Sequence, residues 1–366
     1  MGELDINRRI EFRAGDAIEL LGEPITPDEL RDLVDKRLKD PKSYHRKYYP
    51  SDVRRAREAL HPEIGRYITD RFHQDRMGLP PICTVHISKG GTGKTALTAN
   101  LGAALSKLGY RVLLIDGDPQ GSLTSIFGID TESPEIRTIR DAIPELRDKK
   151  DLVPIEQTVV RVYDQETAIL DLIPADQTLG RFEREAMVIN LRAQLVNDFV
   201  EQNKDFFARY DFVLIDTGPS SSVLNFNLMY PAHMIIVPIS LDGMSLKSLE
   251  ALSGDLADLK KATRRQPSVE IVVNNYHPQF KHSRENLPLV LSEYGPGLSK
   301  VNIPLYVGFN RQVRLNGLSR PLVEAEPSST AAKQYIELAR EFADKFIIQP
   351  AAKADSEPAI PQPELI

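Results

Sequence analysis

Apolar residues come in short, unbroken runs through most of this chain. Ile82 to Ile87, Arg111 to Asp116, Ile169 to Ala175, Asp211 to Asp216, His233 to Pro238 and Val269 to Asn274 are each dominated by aliphatic and β-branched side chains. Runs of this length predict strands buried on both faces, as in a parallel sheet. Between them the apolar spacing widens to a helical period, over Ala96–Leu108, Arg184–Val200, Met244–Lys261, Asn286–Tyr294 and Thr330–Phe346. In the last of these, Tyr335, Leu338, Ala339, Phe342 and Phe346 fall on one face. Alternating strands and helices predict an α/β fold, a doubly wound, mostly parallel sheet flanked by helices.

Residues 1–78 read differently, as a small helical segment. Thr26-Pro27-Asp28-Glu29 is a helix start, with Thr26 as N-cap, proline in the first turn and Glu29 closing a capping box; this helix is expected to reach about Leu38. Ser51, after Pro50, is the N-cap expected for a second helix carrying Val53, Ala56 and Leu60. A third is expected from Glu63 to about Arg76. Gly78 to Pro81 reads as a linker. Residues 79–348 then form the α/β domain. Residues 349–366, with Pro350, Pro358, Pro361 and Pro363, read as a disordered tail.

The densest chemistry lies at Lys89-Gly90-Gly91-Thr92-Gly93-Lys94-Thr95, between the first strand and the helix that opens at Ala96. Strand, glycine-rich turn and helix are the context of a phosphate-binding loop. The glycines let the backbone turn its N–H groups inward, and the helix N-terminus adds unpaired donors. Lys94 can reach β- and γ-phosphates, and the Thr95 hydroxyl can ligate Mg²⁺. A plain loop of this kind begins with glycine; here Lys89, preceded by Ser88, gives a second lysine at the rim.

Composition narrows the setting. The chain has 366 residues, a net charge of −6 and a single cysteine, Cys83. One thiol per chain forms no internal disulfide or cysteine-ligated cluster, which points to a reducing cytosol. No apolar run approaches bilayer length, and the first residues carry no signal pattern. The net charge does not announce a nucleic-acid binder, although binding follows local patches more than the total.

The second lysine carries a resemblance. Residues 80 to 345 resemble the ParA/MinD ATPases, with their deviant phosphate loop, and within them the ParA-type DNA-partition proteins. The resemblance implies that Lys89 crosses a dimer interface to the nucleotide of the other subunit, and that Lys89 through Ala96 cradle ATP. Asp116-Gly117-Asp118-Pro119 is similar to the family's switch I. There Asp118 would orient the attacking water and Asp116 would support Mg²⁺ through water. Asp216, at the end of its strand, stands at the Walker B position as a further Mg²⁺ partner. Thr217-Gly218-Pro219 looks like switch II, with Gly218 where the family more usually has a proline. Asn274 matches a position near the adenine.

The same resemblance implies an ATP-dependent homodimer, nonspecific DNA binding, a nucleoid-associated cytoplasmic location and a ParB-like activator. Phe309-Asn310-Arg311-Gln312-Val313-Arg314 is similar to the segment carrying DNA-contacting arginines, and Lys281 and Arg284 are candidates for the same surface. Lys36 to Arg57 is a basic stretch interleaved with tyrosines, Arg54 and Arg55 among its cations. It reads either as a DNA contact or as a solvated helical face. The tail lacks the basic amphipathic helix that anchors MinD-type relatives, so no membrane partner is expected. The alternatives are a MinD-like membrane or polar positioning ATPase and a small-molecule synthetase resembling dethiobiotin synthetase.

Overall fold

A computed structural model describes residues 4–34, 47–61, 78–189, 193–263, 266–306 and 319–346. The expected helix Glu63–Arg76, most of the basic stretch, Arg311, Arg314 and the tail lie outside the described residues.

The sheet has seven strands: β1 (Ile82–Val85), β2 (Val112–Gly117), β3 (Val160–Arg161), β4 (Leu170–Ile173), β5 (Phe212–Thr217), β6 (Met234–Ile239) and β7 (Ser268–Val273). Their order is β3-β4-β2-β5-β1-β6-β7. Every pairing is parallel except that of β3 with β4. The apolar runs become central strands because both faces are covered. On β2, Val112 and Leu114 join one core cluster while Leu113 and Ile115 join the other.

The described helices are α1 (Ala14–Leu21), α2 (Pro27–Leu33), α3 (Pro50–Leu60), α4 (Lys94–Lys107), α5 (Ser122–Ile126), α6 (Phe182–Ala186), α7 (Leu195–Gln202), α8 (Lys204–Phe207), α9 (Val223–Met229), α10 (Gly243–Thr263), α11 (Lys281–Tyr294), α12 (Leu322–Ala325) and α13 (Thr330–Phe346). The α13 bounds match the expected span.

Other expectations need correction. The helix expected over Arg184–Val200 is interrupted: α6 ends at Ala186 and α7 begins at Leu195. Helix α2 has the predicted Thr26 capping box but stops at Leu33, because Val34 is extended (φ −102°, ψ 133°). Helix α3 starts earlier than Ser51 allows, since the Tyr49 N–H donates to Asp52, leaving Ser51 inside the first turn. Helix α11 begins at Lys281 rather than Asn286 and carries Pro288 internally.

The segment before β1 is packed onto the sheet's helical layer. Phe12, Leu20, Leu30, Tyr48, Val53 and Ala56 share one apolar cluster with Leu101 and Leu105 of α4 and Tyr335 and Phe342 of α13. Ahead of α1 the chain runs beside the outer strand: the Ile6 and Arg8 N–H groups donate to the carbonyls of Arg161 and Val162 at 2.8 and 2.9 Å. The Arg8 side chain is largely buried, donating to the carbonyls of Phe127 (2.7 Å) and Ser319 (2.8 Å) and pairing with Glu324 at 3.4 Å.

Candidate functional site

In a parallel sheet the loops at the carboxyl ends of the strands form the ligand crevice. Here those ends carry the turn after β1, Asp116 at the end of β2 with Asp118 just beyond it, Asp216 and Thr217 at the end of β5 with Gly218 just beyond them, Asp242 after β6 and Asn274 after β7.

The turn from β1 into α4 needs glycine at two places. Gly91 and Gly93 have φ of 76° and 85°, and a Cβ on Gly93 would lie 2.2 Å from the Asn274 amide nitrogen. That amide donates to the Thr92 carbonyl at 2.8 Å, so Asn274 braces the loop from β7. Its Oδ1 and the Thr92 hydroxyl are buried with no hydrogen-bond partner among the described residues.

Lys94 is buried, and its ammonium is held on the loop's own carbonyls, Ile87 at 3.0 Å and Lys89 at 2.9 Å. Burial pushes its pKa down, against the pull of Asp216 and Asp118. Lys89 turns the other way. Its ammonium donates to both oxygens of Asp242, at 2.6 and 2.8 Å, and to the Ser245 hydroxyl at 3.1 Å. Asp242 also accepts from the Ser245 N–H at 2.8 Å, capping the start of α10. Partial burial would raise the Asp242 carboxyl, but the Lys89 and Ser245 bonds outweigh it and hold the pKa low.

Asp116 and Asp216 are register partners on β2 and β5, both fully buried. Asp116 accepts from the Thr124 N–H (2.9 Å), the Thr124 hydroxyl (2.7 Å) and the Asp118 N–H (3.2 Å), so it anchors the turn into α5. Asp216 accepts from the Thr98 hydroxyl at 3.2 Å, and its Oδ2 has no hydrogen-bond partner among the described residues. Burial, and then the neighbouring Asp116, push Asp216 up to about 8, while Thr95 lies close enough to pull it down. An orphaned carboxylate oxygen beside a threonine hydroxyl at a helix start fits a hard cation such as Mg²⁺.

Asp118 is half-buried and faces the turn after β5: a Cβ on Gly218 would sit 3.5–3.6 Å from its carboxylate. Its Oδ1 accepts from the Gln120 N–H at 3.0 Å.

Three polar partners in this crevice were not read from the sequence. Asp242 is one. His86 is another: the Thr217 hydroxyl donates to the Val85 carbonyl (2.8 Å), so the His86 Nδ1–H is the donor in its 2.8 Å bond to Thr217. Burial, then Lys94, lower His86 to about 4, which keeps the ring neutral. The third, Asn225 on α9, donates to the Gly218 carbonyl at 2.9 Å. A histidine inside an apolar run was the one visible signal.

The basic candidates among the described residues do not form a single patch. Lys281 and Arg284 are exposed on the first turn of α11, at the crevice end of the sheet. Asn286 on that helix donates to the Leu241 carbonyl at 2.7 Å, next to Asp242. Arg54 and Arg55 lie at the opposite end, before β2 and β5. The Arg54 guanidinium is turned inward, onto the Asp211 carboxylate and the Gly109 carbonyl, with Glu58 at 2.9 Å. Arg55 lies 3.5 Å from Asp52. Among the described residues no helix is long and apolar enough to cross a membrane.

Comparison with known proteins agrees with this fold. A family model described as an AAA domain matches residues 81–271. The cell division protein PomZ of Myxococcus xanthus is 30% identical over 67% of this chain and 72% of its own length. The chromosome partitioning protein ParA of Caulobacter vibrioides is 29% identical over 69% of this chain and 90% of its own. A Mycobacterium smegmatis structure described as cobyrinic acid a,c-diamide synthase with bound ADP and magnesium superposes with a TM-score of 0.60 at 25% identity, covering 73% of this chain and 96% of that one. With its two-lysine phosphate loop, strand-end aspartates and parallel sheet, the chain belongs to the ParA/MinD family of P-loop ATPases.

Proposed function

We propose that this protein is a partition ATPase that binds ATP and Mg²⁺, dimerises face to face on ATP, and in that state holds DNA without sequence preference. A ParB-like partner then stimulates hydrolysis, so that a cargo is segregated or positioned. The observation that carries the reading is Lys89. It sits on the rim of the loop, paired with a side chain outside it, while Lys94 is held inside on the loop's own carbonyls.

The roles follow from charge and position. The loop N–H groups and Lys94 take the β- and γ-phosphates, and Lys89 of each subunit reaches the other's nucleotide. Thr95 and Asp216 would hold Mg²⁺, which would neutralise charge on the phosphate oxygens. Asp116 supports that site from the turn it anchors. Asp118 accepts a hydrogen bond from the attacking water and orients it; water attacks the γ-phosphorus and ADP leaves. Asn274 keeps the loop in register beside the base. Lys281 and Arg284, with Arg311 and Arg314, supply cations to DNA phosphates, and dimerisation doubles their number.

The solved structure described as a diamide synthase favours a second reading, a small-molecule synthetase on the same loop. One experiment separates them: DNA binding and molecular mass measured with ATP, with ADP and without nucleotide. The partition reading expects a dimer that binds DNA with ATP only, and loses both in Lys89→Ala. DNA binding indifferent to nucleotide, or a Lys89→Ala protein that still dimerises, overturns it.

A further inference from the structure

A further buried carboxylate, Asp171, lies far from the crevice. A cavity of about 550 Å³ opens at the other end of the sheet, where Asp171 of β4 and Tyr210, just before β5, line its wall. Asp171 is 4% exposed. Its Oδ2 accepts from the Tyr210 hydroxyl at 2.8 Å, but its Oδ1 has no hydrogen-bond partner among the described residues. A buried carboxylate oxygen without a donor is costly, and such groups mark places where a donor is to be supplied.

The neighbours say which donor. Arg161 is the cross-strand partner of Asp171, so the two side chains share a face, yet Arg161 is exposed at the mouth and makes no hydrogen bond to that carboxylate. Arg209 pairs with Glu156 at 3.4 Å and lies 5.3 Å above the Phe206 ring. The wall therefore offers a deep anion in Asp171, the cation Arg161 beside Asp5, the Arg209–Glu156 pair, and apolar lining from Phe206, Val159 and Ile169. The volume lies within the range of small-molecule sites.

We propose that this cavity binds a small ligand bearing an amine or guanidinium beside a carboxylate, an arginine-like zwitterion. Its cationic end donates to Asp171 Oδ1 and its carboxylate meets Arg161. The reading is independent of the nucleotide site, which lies at the opposite ends of the strands. Burial pushes the Asp171 carboxyl up to about 6, opposed by Tyr210 and Arg161 and reinforced by Asp5. It is ionised near neutral pH, and a bound cation would keep it so.

The test is calorimetric titration of the full chain at about pH 7.5 with L-arginine, and with agmatine, which lacks the carboxylate. Arginine should bind at one site and agmatine several-fold more weakly. Asp171→Asn should weaken arginine by about tenfold or more, since the neutral amide loses the attraction between carboxylate and cation and leaves a one-sided charge-assisted bond. Gln157→Trp, which fills the mouth and leaves Asp171 untouched, should weaken it as well. Lys94→Ala should leave it unchanged. Absence of binding up to about 10 mM overturns the proposal. So does wild-type affinity in a folded Asp171→Asn protein, or loss of binding in Lys94→Ala.

Discussion

The Lys89 ammonium is clamped by both carboxylate oxygens of Asp242, at 2.6 and 2.8 Å, on the same chain. A lysine proposed to reach another subunit's phosphate is thus held at home by a competing anion. Any crossing exchanges one carboxylate for phosphate oxygens, and the free-energy difference biases the monomer–dimer balance. Asp242→Ala should therefore dimerise at an ATP concentration lower by about two- to tenfold. Light scattering across an ATP titration checks this; an unchanged midpoint would mean that the clamp does not hold the monomer.

Lys94 and Asp118 should separate binding from chemistry. Lys94→Ala removes the buried counter-charge of the phosphates, and ATP binding should fall by more than about a hundredfold. Asp118→Ala leaves the cradle intact, so ATP should bind normally while turnover drops at least about tenfold and the dimer persists. Fluorescent-nucleotide binding and phosphate release, run on both variants, give the comparison.

Gly218 lies outside the left-handed backbone region, and a methyl added there would meet Asp118 at ordinary contact distance. Gly218→Ala should accordingly stabilise the protein by about 0.4–1 kcal/mol through the unfolded chain. The stiffer loop should still hold its bond from Asn225. Denaturant unfolding measures the gain, and a loss of stability would show that switch II needs conformations closed to alanine.

Asp171 gives a pH signature with a definite sign. Its folded-state pKa, about 6, is above the ordinary value of 3.8. The folded state therefore binds the extra proton, and this carboxyl costs nothing below the unfolded pKa. It becomes progressively destabilising as pH rises from about 4 to 6, by up to about 3 kcal/mol. Asp171→Asn should flatten that part of the stability–pH curve, as measured by unfolding at a series of pH values.

Much of this architecture is legible in the chain because its central strands are buried on both faces and so read as unbroken apolar runs, two of them, β2 and β5, carrying an acid near the end. Helix α13 is legible for the same kind of reason, a single strong stripe from Tyr335 to Phe346. The missed elements depend on partners elsewhere. Strand β3 is two residues long and exists through its pairing with β4. Helix α3 begins at Pro50 because Asp52 caps Tyr49, a preference that Ser51 masks in sequence. The Lys89–Asp242 contact joins positions 153 residues apart, and His86–Thr217 joins positions 131 apart; neither spacing has a local signature. Arg54 reads as an available cation until Asp211 is brought beneath it.

The backbone of Ile6 and Arg8 running along Arg161 to Tyr163 has a consequence for handling this protein. A bare outer strand is a template for another molecule's backbone, and this one is already occupied by the chain's own beginning. Removing residues 1–9 should leave the phosphate loop untouched, with ATP affinity within about twofold. It should also uncover that backbone and the carbonyls that Arg8 satisfies. The shortened protein should then self-associate on warming at concentrations where the full chain stays dispersed. Residues 6–8 thus occupy, from within the same chain, the margin that another molecule's backbone would otherwise find.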